Sequence, residues 1–324
     1  MRYYLSNLLM FLLLMIPTHS LEAKTEFLKF TGGPTGGTFQ LFSNSMASYL
    51  SKSLDKTKVS NQGSNGSTEN LRKLNGGRAH FGVVHSGDLF LGRQGKLTGD
   101  PKTYKNVYAL SVLYRSAAQL AVLESSKIKK LSDLVGKKVG IGGPGSGAAA
   151  SAERFFNQVG LWEKIDHQFL GYSKAAAAMK DGHLDAMWVV SGYPTRAIIE
   201  LAASKKVRLI DIEPEAREKG FFKSFPFYQA VTIPSDTYEG VKQDLQAFAD
   251  STIWVASKKA SSDQVYNALK TMYSPEALKQ LRSVIPSAKY MAKDTGIVGI
   301  KVPFHPGAVK FWEEKGLTIP KELR

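Results

Sequence analysis

The chain has 324 residues, 43% hydrophobic and 22% charged, with 29 Gly, 13 Pro and no cysteine. This composition excludes a disordered tail, a collagen-like fibre and a disulfide-stapled mini-domain. The missing cysteine also excludes thiol nucleophiles, CxxC zinc sites, iron–sulfur clusters and a lipidated cysteine. A formal net charge of +15 favours anionic partners, but the basic residues are scattered and show no zinc-finger, RNP-like or basic-zipper pattern, so no nucleic acid partner is expected.

Residues 1–23 open with Arg2 and an apolar run from Leu8 to Ile16, closed by Pro17 and small or polar residues. That run is too short for a membrane span of roughly 20 residues and matches the apolar core of a secretory signal. Cleavage is expected after Ser20 or Ala23. No later segment is long and apolar enough to cross a membrane, so an exported, periplasmic chain is expected. At roughly 100–200 residues per domain, the remainder is expected to form two domains.

Short apolar strands then alternate with helices, the signature of an α/β fold. A strand at Phe27–Phe30 runs into Gly32-Gly33-Pro34-Thr35-Gly36-Gly37-Thr38, followed by a helix through about Leu54. Ser64-Asn65-Gly66-Ser67-Thr68-Glu69-Asn70 forms a second turn, with Ser67 expected to cap the helix carrying Leu71 and Leu74. A strand at Lys138–Ile141 runs into Gly142-Gly143-Pro144-Gly145-Ser146-Gly147-Ala148 and a helix through about Val159. The two glycine loops begin 110 positions apart, and the Gly77–Gly87 and Gly182–Gly192 stretches, each leaving a strand at Ser-Gly, begin 105 apart. Nearly equal offsets indicate two lobes of one design.

A glycine turn between strand and helix lets backbone N–H groups approach a guest, and the helix N-terminus behind it carries about half a positive charge. Thr35 or Thr38, and Ser146, are placed to cap their helices and touch a ligand. Enzyme motifs are absent. Neither loop ends in Gly-Lys-Ser/Thr, Gly143-Pro144-Gly145-Ser146-Gly147 lacks GxGxxG spacing, and Pro144 stands where a Gly-x-Ser-x-Gly elbow needs glycine. The histidines show no metal-ligand spacing. No catalytic residue, metal or cofactor is expected.

Several stretches resemble the TAXI class of TRAP-transporter solute-binding proteins: Gly36-Gly37-Thr38-Phe39, Ser64–Asn70, Leu131–Val139, Gly142–Gly147, Asp181–Ala186, Tyr228–Pro234 and His305–Trp312. The resemblance covers nearly all of the chain beyond residue 24. It implies an α/β, two-lobed periplasmic-binding-protein-like (type II) clamshell with a hinge of crossing strands. Lobe I would comprise 24–116 and 232–324, and lobe II 117–231, with crossings near Arg115–Val122 and Phe225–Val231. The implied guest is a small organic anion, a carboxylate or an amino acid such as glutamate. The implied partner is a TRAP membrane permease with a fused subunit, and the receptor would be a monomer. An ABC permease or a sensor kinase is the alternative client, and a periplasmic enzyme the alternative activity. The chain departs from the family where glutamine, threonine and tyrosine are usual, carrying His85, Ala148 and Phe39. Those departures, with Trp188, suggest an acid with a more apolar or aromatic body.

The candidate ligand-binding residues are therefore Thr35, Gly36, Gly37, Thr38, Phe39, Asn65, Gly66, Ser67, Asn70, His85, Ser86, Gly145, Ser146, Gly147, Ala148, Trp188, Ser191 and Gly192. Some carry two readings. Asn70 either bonds a ligand carboxylate or bonds locally. His85 is either a ligand contact, in which case imidazolium binding would weaken above pH ~6.5, or a satisfied core histidine. Trp188 is either core or a stacking wall. Of Arg115, Arg154 and Arg196, at most one is expected to take the carboxylate.

Overall fold

The computed structural model describes residues 25–324; the expected signal at 1–23 lies outside the described residues. The first region runs β1 (Glu26–Thr31), α1 (Thr38–Ser53), β2 (Thr57–Gln62), α2 (Ser67–Asn75), β3 (Phe81–His85), α3 (Ser86–Arg93) and the long β4 (Val107–Leu123). The second comprises β5 (Lys138–Gly140), α4 (Gly147–Gln158), β6 (Asp166–Gln168), α5 (Tyr172–Lys180), β7 (Ala186–Ser191), α6 (Arg196–Ala202), β8 (Val207–Ile210), α7 (Glu213–Glu218), α8 (Phe221–Ser224) and β9 (Gln229–Ile233). The chain returns through β10 (Leu245–Ser257) and closes with α9 (Ser262–Met272), α10 (Pro275–Val284) and α11 (Pro306–Glu314).

The strands form one continuous sheet in the order β2-β1-β3-β10-β4-β7-β5-β6, with β8 also on β4 and β9 on β10. Pairing is parallel among β2, β1 and β3 and again among β7, β5 and β6, as strand–helix–strand units require. Helices attach by their apolar stripes. In α1, Phe39, Phe42, Met46 and Leu50 recur at helical spacing and are all buried.

Two separate hydrophobic cores share this sheet. The first holds Leu28–Tyr114 and Ile253–Ile319; the second runs from Ala117 to Ala249. Both β4 and β10 pass from one core to the other, antiparallel, with Ala249 opposite Ala117 and Ser257 opposite Val107. The apolar run along each strand breaks at the passage, at Arg115-Ser116 in β4 and at Asp250-Ser251-Thr252 in β10. There the Ser116 and Thr252 hydroxyls hydrogen-bond at 2.6 Å. This is the two-lobed, strand-hinged clamshell.

The return crossing lies further along the chain than the expected Phe225–Val231. Strand β9 pairs with the first part of β10, Ile233 opposite Leu245, and this hairpin folds onto the second lobe. Ile233, Tyr238, Leu245, Ala247 and Phe248 are buried in the second core, so the chain leaves that lobe only after Ala249. Among the described residues, no helix is long and apolar enough to cross a membrane.

Candidate functional site

The turns at the carboxyl ends of the parallel strands face one another across the gap between the lobes. They enclose a cavity lined by Pro34, Gly37, Thr38, Phe39, Asn65, Gly66, Ser67 and His85 from the first lobe, and Gly147, Ala148, Tyr172, Val190 and Ser191 from the second. Its volume is ≈ 10 Å³, about what one water needs, so any organic guest requires the lobes to stand further apart. Glycine is required at two of these turns. Gly36 and Gly66 have φ of +83° and +123°, and a Cβ on Gly36 would meet Ser173 and Ala197 of the opposite lobe.

Hydroxyls and backbone groups join the two sides. The Thr38 N–H donates to Ser191 Oγ at 3.1 Å, the Ser191 hydroxyl to Thr38 Oγ1 at 3.0 Å, and the Thr38 hydroxyl to the Gly192 carbonyl at 3.3 Å. The Ala197 N–H donates to the Gly36 carbonyl at 3.3 Å. Near the cavity, helices α1, α2 and α4 begin, and their first-turn N–H groups have no intrahelical acceptor. Ser146 caps α4, accepting from Ala149 N at 3.0 Å.

Several expected roles change. Neither Thr35 nor Thr38 caps α1, whose N-cap is Gly37 with no side-chain bond. Ser67 does not cap α2 either. The cap is Gly66, and the Ser67 hydroxyl instead accepts from His85 N at 2.9 Å, tying β3 to α2. Asn70 is a structural brace: its amide donates to the Gly32 and Val83 carbonyls and accepts from the Thr31 hydroxyl, all away from the cavity. Trp188 is core, stacked on Phe155 at 5.3 Å and packed against Phe156 and Phe248, because that face of β7 lies under α4. Thr35 and Gly145 are exposed beside the cavity, and Ser86 turns into a separate hollow with Phe90, Arg115 and Phe227. Gly192 supports the site through its carbonyl and its close approach to Ser287.

The apolar part of the lining comprises Pro34, Phe39, Ala148, Tyr172 and Val190, of which Pro34, Tyr172 and Val190 were not expected. Tyr172 is anchored both ways to Val190, donating to its carbonyl at 2.9 Å and accepting from its N–H at 3.2 Å. The signal for Tyr172 is its position at the first turn after Gly171, which repeats the strand–glycine–helix pattern of the other loops.

Of the three arginines, Arg196 is exposed and pairs with Glu200 within α6, and Arg115 is exposed at the hinge. Arg154, on α4, is buried, with a side chain 4% exposed, and reaches Asp88 of α3 on the other lobe at 2.9 Å. The Asp88 side chain has no exposure. The Arg154 guanidinium also donates to the Tyr228 hydroxyl, at 2.8 Å from Nη2 and 3.2 Å from Nε. Burial works against its charge, but Tyr228 and Asp88 outweigh that and raise its pKa. Asp250, on the hinge strand, accepts from Gly87 N at 3.0 Å. Burial first, then the Asp88 charge, hold its carboxyl well above the usual range.

His85 lies between this cluster and the cavity, its ring 4.8 Å from that of Phe39. Burial lowers its pKa to about 4, with Asp88 opposing and Arg154 assisting. His85 is therefore neutral at pH 7, and its imidazolium is not the anion's partner there. The C-terminal His305-Pro306-Gly307 run is a cap: His305 Nδ1 accepts from Gly307 N at 3.3 Å, and its Nε2 lies 3.1 Å from the Ala260 carbonyl.

A family model described as the NMT1-like family matches residues 30–316. Among solved structures, MatC from Rhodopseudomonas palustris with bound malate is similar over 90% of this chain and 97% of its own, at 15% identity and a TM-score of 0.55. A periplasmic transporter matches over 79% and 86% at 12% identity, TM-score 0.50. The alkanesulfonate-binding protein SsuA from Xanthomonas axonopodis pv. citri, bound to MOPS, matches over 90% and 92% at 16% identity, TM-score 0.48. The chain belongs to the NMT1-like family and has the fold of the periplasmic solute-binding proteins.

Proposed function

We propose that this protein is an exported, non-catalytic receptor that captures a small organic anion between its lobes and delivers it to a membrane permease of the TRAP type, as a TAXI-class component. The observation that carries this reading is the convergence of three helix N-termini and the Thr38, Ser67 and Ser191 side chains, from both lobes, on one cavity. Each helix terminus favours an anion by roughly 0.3–1 kcal/mol, up to ~2 when partly buried. A charge-assisted hydrogen bond adds roughly 1.5–3 kcal/mol, so several acting together supply micromolar affinity after the cost of closure. Donors from both lobes reach one guest only when the lobes approach, so binding and closure are linked.

The lining also favours a particular body for the anion. Phe39, Tyr172, Val190 and Ala148 surround the donors with apolar surface, which fits an acid carrying an aliphatic or aromatic portion better than glutamate. Malate, bound by the Rhodopseudomonas relative of this fold, is the small dicarboxylate control. The test is mass spectrometry of acids released when gently purified protein is denatured, followed by a thermal-shift panel that includes malate, glutamate and aromatic acids. One co-purifying acid that raises the melting temperature supports the reading. A substrate–product mixture replaces it with an enzyme. Uptake in vesicles driven by an ion gradient assigns a TRAP client, and uptake requiring ATP assigns an ABC permease.

A further inference from the structure

We infer that Asp88 is an internal counter-ion standing where the guest's carboxylate would meet Arg154, so that the Asp88–Arg154 pair latches the two lobes until a guest displaces it. The inference rests on the receptor reading for the guest's identity, but its geometry is independent of that reading. Asp88 belongs to α3 of the first lobe and Arg154 to α4 of the second. The pair therefore forms when the lobes close and breaks when they part.

The pairing is incomplete in a way that invites exchange. Arg154 offers a two-pronged fork, and a carboxylate meets it best with both oxygens. Here only Nη2 and Oδ1 meet, at 2.9 Å. Arg154 Nη1 and Asp88 Oδ2 are both buried and have no hydrogen-bond partner, and neither has His85 Nδ1 beside them. Asp88, on the first turn of α3, presents only Oδ1 to the fork, whereas a carboxylate free of the backbone can meet it with both oxygens.

The surroundings fit such an exchange. Asp88 Oδ2 lies against Gly147, where a Cβ would stand 2.5 Å from it, and Gly147 also lines the cavity between the lobes. On its other side Arg154 borders an open hollow of ≈ 440 Å³ between Thr98 of the first lobe and Asn157, Gln158 and Phe225 of the second. The guanidinium thus borders this hollow together with Glu153, and Asp88 and Gly147 separate it from the cavity between the lobes. Tyr228 accepts from two of its nitrogens, and the rings of Phe227 and Tyr228 lie 5.9 and 5.7 Å from its carbon. These contacts fix the fork while its anionic partner changes.

The experiment uses the absence of cysteine. Gly63→Cys, which has open space around it, and the exposed Lys174→Cys place one spin label on each lobe. Interlobe distances are then read by pulsed electron resonance on full-length protein freed of acids. The parent is expected to show a short, closed distance. Asp88→Ala is expected to lengthen it by more than about 2 Å and to lower the closed-to-open ratio at least about tenfold. Formate should restore the short distance in Asp88→Ala, filling the vacated carboxylate position, where chloride at the same ionic strength does not. Arg154→Gln should open the lobes without rescue. An unchanged distance in Asp88→Ala, or opening that formate leaves untouched, overturns the latch. Asp88→Asn keeps the side-chain shape without the charge and serves if the alanine variant does not fold; a parental distance in it overturns the proposal equally. Because no guest is present, failure here leaves the receptor reading standing, and failure to recover an acid leaves the latch standing.

Discussion

Thr38 and Ser191 are 153 positions apart in the chain, yet Ser191 Oγ accepts from the Thr38 N–H and its hydroxyl donates back to Thr38 Oγ1 at 3.0 Å. One residue opens the first helix of one lobe and the other ends a strand of the second. Ser191→Ala removes both bonds and strands a helix first-turn N–H. At about 1–3 kcal/mol for such a loss, affinity for the acid recovered from the protein should fall roughly tenfold or more in calorimetric titration, with secondary structure unchanged by circular dichroism.

Gly147 is a second contact between lobes. A Cβ there would stand 2.5 Å from Asp88 Oδ2 and 2.7 Å from Ser67 Cβ, atoms of the opposite lobe. Gly147→Ala is therefore expected to prop the lobes apart and weaken guest binding by at least about tenfold, a cost of ~1.4 kcal/mol or more, within the range for overpacking. Gly171→Ala is the control, because nothing lies within 4 Å of the added carbon and its φ is −65°. Equal affinities in the two variants would refute the contact.

Asn70 separates stability from binding. Asn70→Ala removes a donor from the Val83 carbonyl and one from the Gly32 carbonyl, which keeps the Ser64 hydroxyl at 3.1 Å, and strands the Thr31 hydroxyl. With buried groups costing about 1–3 kcal/mol each when unpaired, urea unfolding should show a loss of at least about 2 kcal/mol. Guest affinity of the folded fraction should stay near parental, since the amide does not face the cavity.

The pH dependence follows from His85. Its pKa is about 4 in the folded chain, against 6.5 for a histidine open to solvent, so between these values the unfolded chain holds more protons and stability rises with pH. The contribution is complete above pH 6.5 and is lost as the pH falls from 6.5 towards 4, by roughly 3 kcal/mol over that window. Replacing the ring by His85→Gln should flatten that part of the urea-derived stability profile. Guest affinity should be level between pH 6.5 and 8 as far as His85 is concerned; a proton taken up there on binding would contradict this.

Asp250 has the opposite sign. Its folded pKa is raised by burial and by Asp88, with Gly87 N–H and Arg154 opposing. It therefore favours the folded state below about pH 3.8 and loses that contribution as the pH climbs through the raised value. Asp250→Asn keeps an acceptor for Gly87 N and should raise the melting temperature at pH 8 more than at pH 4.

Reading the chain residue by residue reached the α/β class, the duplicated glycine loops and most of the cavity lining, because those features are local. A strand needs a short apolar run, a helix start needs unpaired N–H groups, and a tight turn such as Gly36 or Gly66 needs a residue tolerating positive φ. The first crossing was expected near Arg115–Val122 from the family resemblance, and the structure has β4 leave one core for the other at Arg115-Ser116. The side to which each side chain turns was decided elsewhere. Asn70 and Trp188 sit on strand–helix units of the expected kind, yet packing against Thr31 and against Phe155 claims them for the framework. The return crossing moved to β10 because the β9 hairpin pairs with its own lobe. Asp88, Arg154, Tyr228 and Asp250 carry no spacing signal. They belong to four separate segments of the chain, and only closure of one lobe on the other brings Asp88 and Arg154 out of water and into each other's field.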